Sequence, residues 1–282
     1  MIDFPCKCPL IMLAGPTAAG KTALSIELAQ RYQCEIISVD SMQIYRGMDI
    51  GTAKISRAEM GGIRHHLIDV ADPGEPYNAG RFAADAVKAI SEIIGRNKRI
   101  LLTGGTGLYY QALLFGLAEE IPAFPEIRQE LIEHYIASNK NSILHQELYL
   151  IDRISAEKIH KNDSQRLVRA MEIFLGTGQP WSQWLEQHKH NGQPERFTNT
   201  ALICLDRDRD ELYKRIDLRC RIMIESGLEQ EVRGLLEQGY SLKNQSMRAI
   251  GYKHMVEYIH KKCTKDEMLL TMQRDTRRYA KR

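Results

Sequence analysis

The chain has 282 residues, of which 43% are hydrophobic and 27% charged, and its formal net charge is +3. This profile predicts a globular protein with one main core and one smaller appendage. No apolar run approaches the ~20 residues of a membrane-spanning helix, and the six cysteines show no metal-finger spacing. We therefore expect a cytoplasmic protein with reduced thiols and no membrane contact.

Strand and helix patterns alternate along the first part of the chain. Apolar runs predict strands at 10–14 and 35–39, separated by a glycine-bearing loop and a helix over 21–32, and a third strand at 99–103. This alternation is typical of a parallel sheet covered by helices. Between the second and third strands, apolar side chains recur every three or four residues and predict a helix that Gly95 ends; they are Ala79, Phe82, Ala83, Ala86, Val87, Ile90 and Ile94.

The alternation stops at Pro122 and Pro125, and the sequence is then helical and polar until strand character returns at 200–205. We predict an α/β fold, with a P-loop NTPase-like parallel sheet flanked by helices and an inserted all-helical domain. The predicted boundaries are 1–120 with 198–282 for the catalytic core and its C-terminal helices, and 121–197 for the insertion.

Positive charge is concentrated at the C-terminal end. Residues 243–282 contain eleven Lys or Arg and four Asp or Glu, a net charge of +7, which leaves −4 for the rest of the chain. Such a segment can neutralise the phosphates of RNA, and a solvated helical face carries similar charge. The charge pattern alone leaves both interpretations open.

The loop after the first strand matches G-x-x-x-x-G-K-[ST], the phosphate-binding P-loop. Its backbone N–H groups and the following helix N-terminus attract phosphate, Lys21 adds a cation, and the Thr22 hydroxyl is a candidate Mg²⁺ ligand. The predicted diphosphate-binding residues are Gly15, Pro16, Thr17, Ala18, Ala19, Gly20, Lys21 and Thr22.

A P-loop does not identify the molecule whose phosphate it binds. The N-K-x-D and D-x-x-G motifs of GTPases are missing, and the third strand ends in Thr103-Gly104-Gly105 rather than in a Walker B carboxylate. These absences disfavour motors and switches. A small-molecule kinase, a free-nucleotide prenyltransferase and a non-catalytic RNA-binding switch remain as alternatives.

Read in order, six short motifs resemble those of the tRNA dimethylallyltransferases, and they span residues 15 to 252. The chain departs from the usual pattern at Ala19, where Ser is common, and at Ser164, where Pro is common. The family also typically continues beyond the basic segment 277–282. The motifs are Gly15 to Thr22, Asp40-Ser41-Met42-Gln43-Ile44-Tyr45, His65-His66-Leu67-Ile68-Asp69, Gly104-Gly105-Thr106-Gly107-Leu108-Tyr109, Asn162-Asp163-Ser164-Gln165-Arg166 and Arg248-Ala249-Ile250-Gly251-Tyr252.

This resemblance implies transfer of a dimethylallyl group from dimethylallyl diphosphate to the exocyclic amine of the adenosine 3′ of the anticodon. The implied partners are the anticodon stem-loop of tRNA, dimethylallyl diphosphate and Mg²⁺, with a monomer as our default expectation. The sequence itself does not specify which tRNAs are substrates.

Asp40 closes an apolar strand, and ligands bind at the carboxyl ends of strands in such sheets. We predict that it is the general base that removes a proton from the adenine amine, a role that the resemblance also implies. A turn or helix cap is the alternative interpretation.

Leaving diphosphate needs cations and hydrogen-bond donors. We assign the Thr106 hydroxyl and an Arg of a later helix to this task; Thr106 is also a candidate N-cap. Arg215 and Arg219 lie four residues apart on one helical face, and the family pattern favours Arg219, whereas Arg215 fits a solvated face equally well.

A predicted helix from Ser164 to Leu175 separates polar from apolar side chains. Gln165, Arg166 and Arg169 share one arc, which suits an anticodon loop, while Leu167, Met171, Phe174 and Leu175 form the opposite, packing side. An ordinary amphipathic surface helix is the alternative. The RNA-contacting segment implied here is Gln165, Arg166, Leu167, Val168 and Arg169.

The target adenine must leave its stack to reach a carboxylate in a cleft. Asp40, Ser41, Met42, Gln43 and Thr106 are the predicted contacts to the extruded nucleotide, with Arg248 contacting the RNA backbone. His65 and His66 have no metal-site spacing and are interpreted as structural.

Overall fold

The computed structural model describes residues 6–116, 121–190 and 195–282, with the backbone alone at 188–190. The chain forms two compact units, which we call the sheet unit (1–115 with 195–282) and the helical unit (116–194). The predicted domain boundaries fall a few residues further along the chain. Among the described residues, no helix is both long enough and apolar enough to cross a membrane.

A five-stranded sheet forms the centre of the sheet unit. Its strands are β1 (Leu10–Ala14), β2 (Cys34–Val39), β3 (His65–His66), β4 (Arg99–Gly104) and β5 (Thr200–Cys204). Their order is β3-β2-β4-β1-β5, and every neighbouring pair is parallel. The predicted α/β class is confirmed. An inner strand of a parallel sheet is covered on both faces, which explains why all six residues of β2 are buried, whereas the edge strand β5 is exposed along its length.

Helices cover this sheet, as the alternating pattern predicts. One small cluster shows how: Leu13 of β1, Ile36 of β2 and Leu101 of β4 are buried together with Ala29. The helices are α1 (Lys21–Tyr32), α2 (Ala79–Gly95), α3 (Gly107–Phe115), α9 (Arg209–Glu225), α10 (Leu228–Glu237), α11 (Tyr252–Ile259) and α12 (Lys265–Lys281), with a short 3-10 helix at Ser246–Arg248.

Helix α2 begins and buries its apolar side as predicted, with one correction. The side chain of Asn78 accepts a hydrogen bond from the backbone N–H of Arg81 and caps the first turn. Phe82 and Ile90 are fully buried, but Ile94 is exposed and Ile93 is buried in its place. The apolar face therefore turns by one residue at the last turn.

All described elements of the helical unit are helices. Its core contains Leu144 and Leu148 of α5 (Asn141–Ile151) packed with Leu167 and Met171 of α7 (Ser164–Thr177), and the partly buried Trp181 lies against them. The elements are α4 (Pro125–Leu131), a π-helical turn (Ile132–Ile136), α5 (Asn141–Ile151), α6 (Arg153–Lys158), α7 (Ser164–Thr177) and α8 (Trp181–His190).

Candidate active site

A cavity of about 630 Å³ opens in the sheet unit where β1, β2 and β4 end. The loop after each strand contributes to its lining, as expected for the carboxyl edge of a parallel sheet. Segments distant in sequence complete it. Among the lining residues are Lys21, Thr22, Asp40, Gly105, Arg215, Arg219, Arg248 and Tyr279.

The P-loop has the backbone that its glycines permit. Gly15 has φ +144°, and a Cβ there would lie 2.6 Å from the carbonyl oxygen of Leu205. Gly20, just before α1, has φ +104°. Ala18 holds φ +64°, a left-handed conformation that is uncommon without glycine. A strained residue inside a tight loop is typical of a ligand-binding turn.

Lys21 folds back over the loop that carries it. Its Nζ donates to the carbonyl oxygens of Gly15 at 2.8 Å and Pro16 at 2.7 Å. Burial lowers the pKa of Lys21 to about 8, although the negative charge of Asp40 opposes that shift. The ammonium group is therefore held at the loop, close to the carboxylate that faces it.

Two arginines from beyond β5 fasten the same loop. Arg207 Nε donates to the carbonyl oxygen of Ala19 at 3.0 Å, and Arg215 Nε donates to that of Ala18 at 2.8 Å. Arg215 also lines the cavity, so it is part of the site's charge and not only of a solvated face. Arg207 was not predicted as a site residue, although it lies just after the last strand, where ligand-binding residues are expected.

Asp40 uses its two carboxylate oxygens differently. Oδ1 accepts hydrogen bonds from the backbone N–H groups of Met42, at 2.8 Å, and Gln43, at 3.2 Å. Oδ2 accepts none from the described residues. The turn-cap interpretation and the general-base interpretation are therefore compatible, because one oxygen holds the turn and the other is available to accept a proton.

Thr106 stands beside this turn because the ends of β2 and β4 approach very closely. A Cβ on Gly104 would lie 2.0 Å from the carbonyl oxygen of Val39, so only glycine fits there. The Thr106 hydroxyl accepts a hydrogen bond from the Ser41 N–H at 3.2 Å. Its backbone carbonyl accepts from Tyr110 in the first turn of α3, so the N-cap position and the hydroxyl contact coexist.

Arg219 reaches the cavity from α9. Its Nη2 donates to the carbonyl oxygen of Thr52 at 3.3 Å. Burial lowers the pKa of Arg219, and the nearby negative charge of Asp40 partly offsets that shift. A desolvated guanidinium facing a cavity interacts strongly with an incoming anion.

The loop that carries Thr52 is fixed by Glu231 of α10. This carboxylate accepts backbone N–H bonds from Asp49 at 3.0 Å, Ile50 at 2.7 Å and Gly51 at 3.2 Å, and a further bond from the Tyr252 hydroxyl. The role of Glu231 was not predicted, although Tyr252 lies in one of the recognised motifs. The bond between Tyr252 and Glu231 therefore gives the motif at 248–252 a structural role.

Two of the residues in the sheet unit that were predicted to contact RNA make hydrogen bonds within the protein. The Gln43 side chain donates to the carbonyl oxygens of Thr52 at 3.4 Å and Ala53 at 3.5 Å. Arg248 is exposed at the cavity and donates to the carbonyl of Leu242 at 2.8 Å. Ser41 and Met42 line the cavity beside Asp40.

The histidine pair has two different settings. His66 Nε2 lies 2.7 Å from a carboxylate oxygen of Glu35, which Arg96 also binds with two hydrogen bonds. The hydrogen bonds from Arg96, followed by those from His66, lower the pKa of Glu35 to about 2. His66 is therefore part of a structural hydrogen-bond cluster with Glu35 and Arg96, whereas His65 lines the cavity.

The donor set for a metal is small. Within the described parts of the chain, no three His, Cys, Asp or Glu side chains are grouped to hold an ion. The Thr22 hydroxyl is exposed, lines the cavity and makes no side-chain hydrogen bond to another described residue. This set fits Mg²⁺, which commonly takes one or two protein oxygens and completes its shell with water and substrate phosphate.

In the helical unit, α7 begins as predicted. Asp163 caps it by accepting from the Arg166 N–H, and Ser164 accepts a hydrogen bond from Asn141 at 2.9 Å. Gln165 and Arg166 are exposed at the first turn. Both are free to meet a ligand, apart from a 3.5 Å contact of Arg166 with Asp163.

Four predictions for α7 need correction. Leu167 and Val168 are buried, which confirms the packing side predicted for Leu167 and corrects the RNA contact implied for both side chains. Leu175, predicted to pack, is 52% exposed. Arg169 is not free, because its guanidinium pairs with the fully buried Glu172 at 2.8 Å and also donates to the carbonyl of Pro122. The buried carboxylate of Glu172 needs a positively charged partner, so Arg169 forms this ion pair although the helical pattern places it on the polar face.

Comparisons with known proteins agree with these motifs. Residues 43–282 match the family model described as IPP transferase. The chain is 49% identical over 276 residues to a tRNA dimethylallyltransferase of Desulfotalea psychrophila, covering 98% of this chain and 87% of that protein. It is also similar to the crystal structure of the full-length tRNA isopentenylpyrophosphate transferase of Bacillus halodurans, with a TM-score of 0.69 and 42% sequence identity. The match covers 98% of this chain and 85% of that one. A eukaryotic dimethylallyltransferase acting on tRNA has a TM-score of 0.78 at 29% identity, covering 98% of this chain and 68% of that one. The resemblance seen in the sequence is confirmed.

Proposed function

This chain belongs to the IPP transferase family, and from that premise we propose that it is a tRNA-modifying prenyltransferase of the cytoplasm. It transfers a dimethylallyl group from dimethylallyl diphosphate to the exocyclic N6 amine of the adenosine 3′ of the anticodon, and diphosphate is released. One observation supports this function above the others: a P-loop and a carboxylate with an available oxygen line the same cavity.

The P-loop side of the cavity suits the leaving group. Amides of the loop and the N-terminus of α1 bind diphosphate, and the ammonium of Lys21 moves from the loop carbonyls to a phosphate oxygen. As the allylic C–O bond breaks, negative charge grows on the bridging oxygen. We assign the stabilisation of that charge to Arg219, which lines the cavity, and to the Thr106 hydroxyl, which accepts from the Ser41 N–H next to Asp40.

The opposite side suits the nucleophile. The exocyclic amine of adenine is weakly nucleophilic because its lone pair is delocalised into the ring. When the nitrogen bonds to the allylic carbon, it must lose a proton, and Asp40 Oδ2 is the acceptor. Asp40 keeps its orientation during this step because Oδ1 remains bound to two backbone N–H groups.

Mg²⁺ is part of this proposal, with Thr22 as the protein ligand. When bound, the ion neutralises charge on the diphosphate and so assists its departure.

We propose that the RNA partner is the anticodon stem-loop and that the protein acts as a monomer. The target base leaves its stack and enters beside Ser41, Met42 and Gln43, with Arg248 on the RNA backbone. In the helical unit, the exposed Gln165 and Arg166 are the α7 side chains that remain as RNA contacts.

The test uses radiolabelled dimethylallyl diphosphate with Mg²⁺ and, in separate reactions, undermodified tRNA, AMP or ATP. We expect label in tRNA alone, at the N6 atom of the adenosine that follows the anticodon. Label in AMP would indicate a free-nucleotide prenyltransferase. Release of the γ-phosphate from ATP without prenyl transfer would indicate a kinase or a switch.

A further inference from the structure

Arg207 binds the P-loop from outside the cavity. Its Nε donates to the carbonyl oxygen of Ala19 at 3.0 Å, and its Nη1 donates to a carboxylate oxygen of Glu211 in the first turn of α9. A Cβ built on Gly20 would lie 3.6 Å from Arg207 Nη2, so the guanidinium also lies against that residue. Of these described residues, Gly20 lines the cavity, whereas Ala19 and Arg207 do not. The arginine therefore supports the loop from behind.

The Ala19 carbonyl depends on this contact. Ala19 is only 4% exposed, and a buried carbonyl oxygen needs a hydrogen-bond donor. Among the residues that the structure describes, Arg207 is the only donor to this oxygen. The preceding carbonyl, that of Ala18, is bound by Arg215, which does line the cavity. Arg207 is thus the arginine that holds the loop without entering the ligand site.

The Ala19 carbonyl and the Gly20 N–H belong to one peptide unit. In a trans peptide these two groups point in opposite directions. Because Arg207 holds the carbonyl outside the cavity, the Gly20 N–H is aimed toward the cavity that Gly20 lines. This N–H makes no hydrogen bond to another described residue, so it is available to an anion. Gly20 also has φ +104°, and left-handed residues occur in the backbone concavities that bind phosphate.

We propose that Arg207 is a positioning residue for the diphosphate of the prenyl donor. Its guanidinium keeps the Ala19 carbonyl on the outer side of the loop, and the Gly20 N–H is therefore directed at the phosphate position before the ligand arrives. Arg207 does not touch the substrate. A loop that is already arranged loses less free energy on binding, so the contact contributes to affinity for diphosphate and not to the rate of transfer. This inference rests on the proposed function.

The test compares wild-type protein with Arg207→Met, which keeps the aliphatic stem and removes the donors. We expect the Kd for inorganic diphosphate and that for dimethylallyl diphosphate, both measured by calorimetry, to rise roughly 3- to 10-fold, the range of one hydrogen bond. The single-turnover rate of transfer to tRNA at saturating dimethylallyl diphosphate should stay within about twofold of wild type. An unchanged rate also shows that the variant is folded.

Arg233→Met is the matched control. Arg233 pairs with Glu229 one turn away, as Arg207 pairs with Glu211, but it does not line this cavity and has no contact with the P-loop among the described residues. Both Kd values and the transfer rate should equal those of wild type.

Salt separates the aiming of an N–H from the attraction of a nearby charge. Between about 0.1 M and 1 M salt the Debye length falls from about 10 Å to about 3 Å, so a purely electrostatic contribution is screened. Loop geometry is not screened, and the ratio of the Arg207→Met Kd to the wild-type Kd should remain the same within about twofold.

An Arg207→Met Kd equal to that of wild type would overturn the inference, as would a ratio that falls to one at 1 M salt or a transfer rate that falls as much as the affinity. Wild-type protein that binds inorganic diphosphate but fails to label tRNA would instead overturn the proposed function, so the two failures are distinguishable.

Discussion

The two sides of the cavity are built in different ways. The P-loop side is one continuous stretch, residues 15–22, which offers backbone amides and one lysine. The acceptor side is assembled from Asp40 after β2, Thr106 after β4 and Arg219 on α9. In the proposed function, a local loop provides affinity for phosphate, and a long-range assembly provides the groups that respond to the reaction.

This difference predicts that substitutions on the two sides separate binding from chemistry. A group that interacts equally with ground state and transition state changes affinity, whereas a group needed only as bonds rearrange changes the rate. The following experiments test whether the two sides are as distinct as their construction indicates.

The largest effect is expected for Asp40→Asn. The amide is nearly isosteric, and its oxygen can still hold the turn through Met42 and Gln43, but it cannot take the amine proton. Single-turnover transfer should fall ~10²–10⁴-fold, the usual contribution of a general base. The Kd for dimethylallyl diphosphate, measured by equilibrium binding, should change little.

Asp266→Asn is a control in the exposed first turn of α12, and it should behave as wild type. If Asp40→Asn weakened diphosphate binding as strongly as it slowed transfer, the acceptor-side assignment of Asp40 would be wrong.

The next effect is expected for Lys21→Met. Removing the ammonium removes a charge-assisted contact to phosphate, worth about 1.5–3 kcal/mol, or roughly 10- to 100-fold in affinity. We expect the Kd for dimethylallyl diphosphate to rise by that factor in calorimetry, and Lys88→Met on the exposed face of α2 to leave it unchanged. Unaltered affinity in Lys21→Met would show that this lysine serves only the loop carbonyls.

Glu231→Gln tests the support behind Arg219. Glutamine has one acceptor oxygen, so the donors that meet its NH₂ group lose their partner. We expect the free energy of unfolding, measured in denaturant, to fall by about 1–3 kcal/mol. Prenyl transfer should slow severalfold, because the Thr52 carbonyl no longer fixes Arg219.

Glu229→Gln, two residues earlier, removes only a surface pair with Arg233 and should cost less than about 1 kcal/mol. Equal effects of the two substitutions would contradict the positioning role of Glu231.

A pH dependence is also expected on the P-loop side. Because the pKa of Lys21 is lowered to about 8, its ammonium is charged below that pH and becomes neutral above it. Binding of dimethylallyl diphosphate to the free protein should therefore weaken by up to about tenfold as pH rises from about 7 to 9. Lys21→Arg should lack this loss, since arginine stays protonated. A wild-type Kd that is flat over this range would contradict the shift.

The sequence predicted the local features of the site and missed some of the long-range contacts. Residues that belong to a local sequence pattern, such as the P-loop and the strand-ending Asp40, were predicted correctly to lie at the carboxyl edge of the sheet, where the cavity is. Arg207 and Glu231 were not predicted, because each side chain binds the backbone of a segment far away in the chain, and the sequence does not show that contact.

Helix α7 shows the limit of periodicity most clearly. A helical projection places Arg169 on the polar face with Arg166, but it cannot show that Glu172 is buried and needs a counter-charge. Arg128 of α4 binds the same carboxylate at 2.8 Å. The guanidinium of Arg169 is therefore paired with a buried carboxylate, a contact that only the three-dimensional structure reveals.

The most direct test of the account is a crystal structure of the protein with a non-reactive thio analogue of dimethylallyl diphosphate. The diphosphate should lie on the amides of residues 15–22, with Lys21 turned from the Gly15 carbonyl to a phosphate oxygen and the allylic carbon facing Asp40 Oδ2 across the cavity. A diphosphate bound away from this loop, or an allylic carbon directed away from Asp40, would contradict the proposed mechanism.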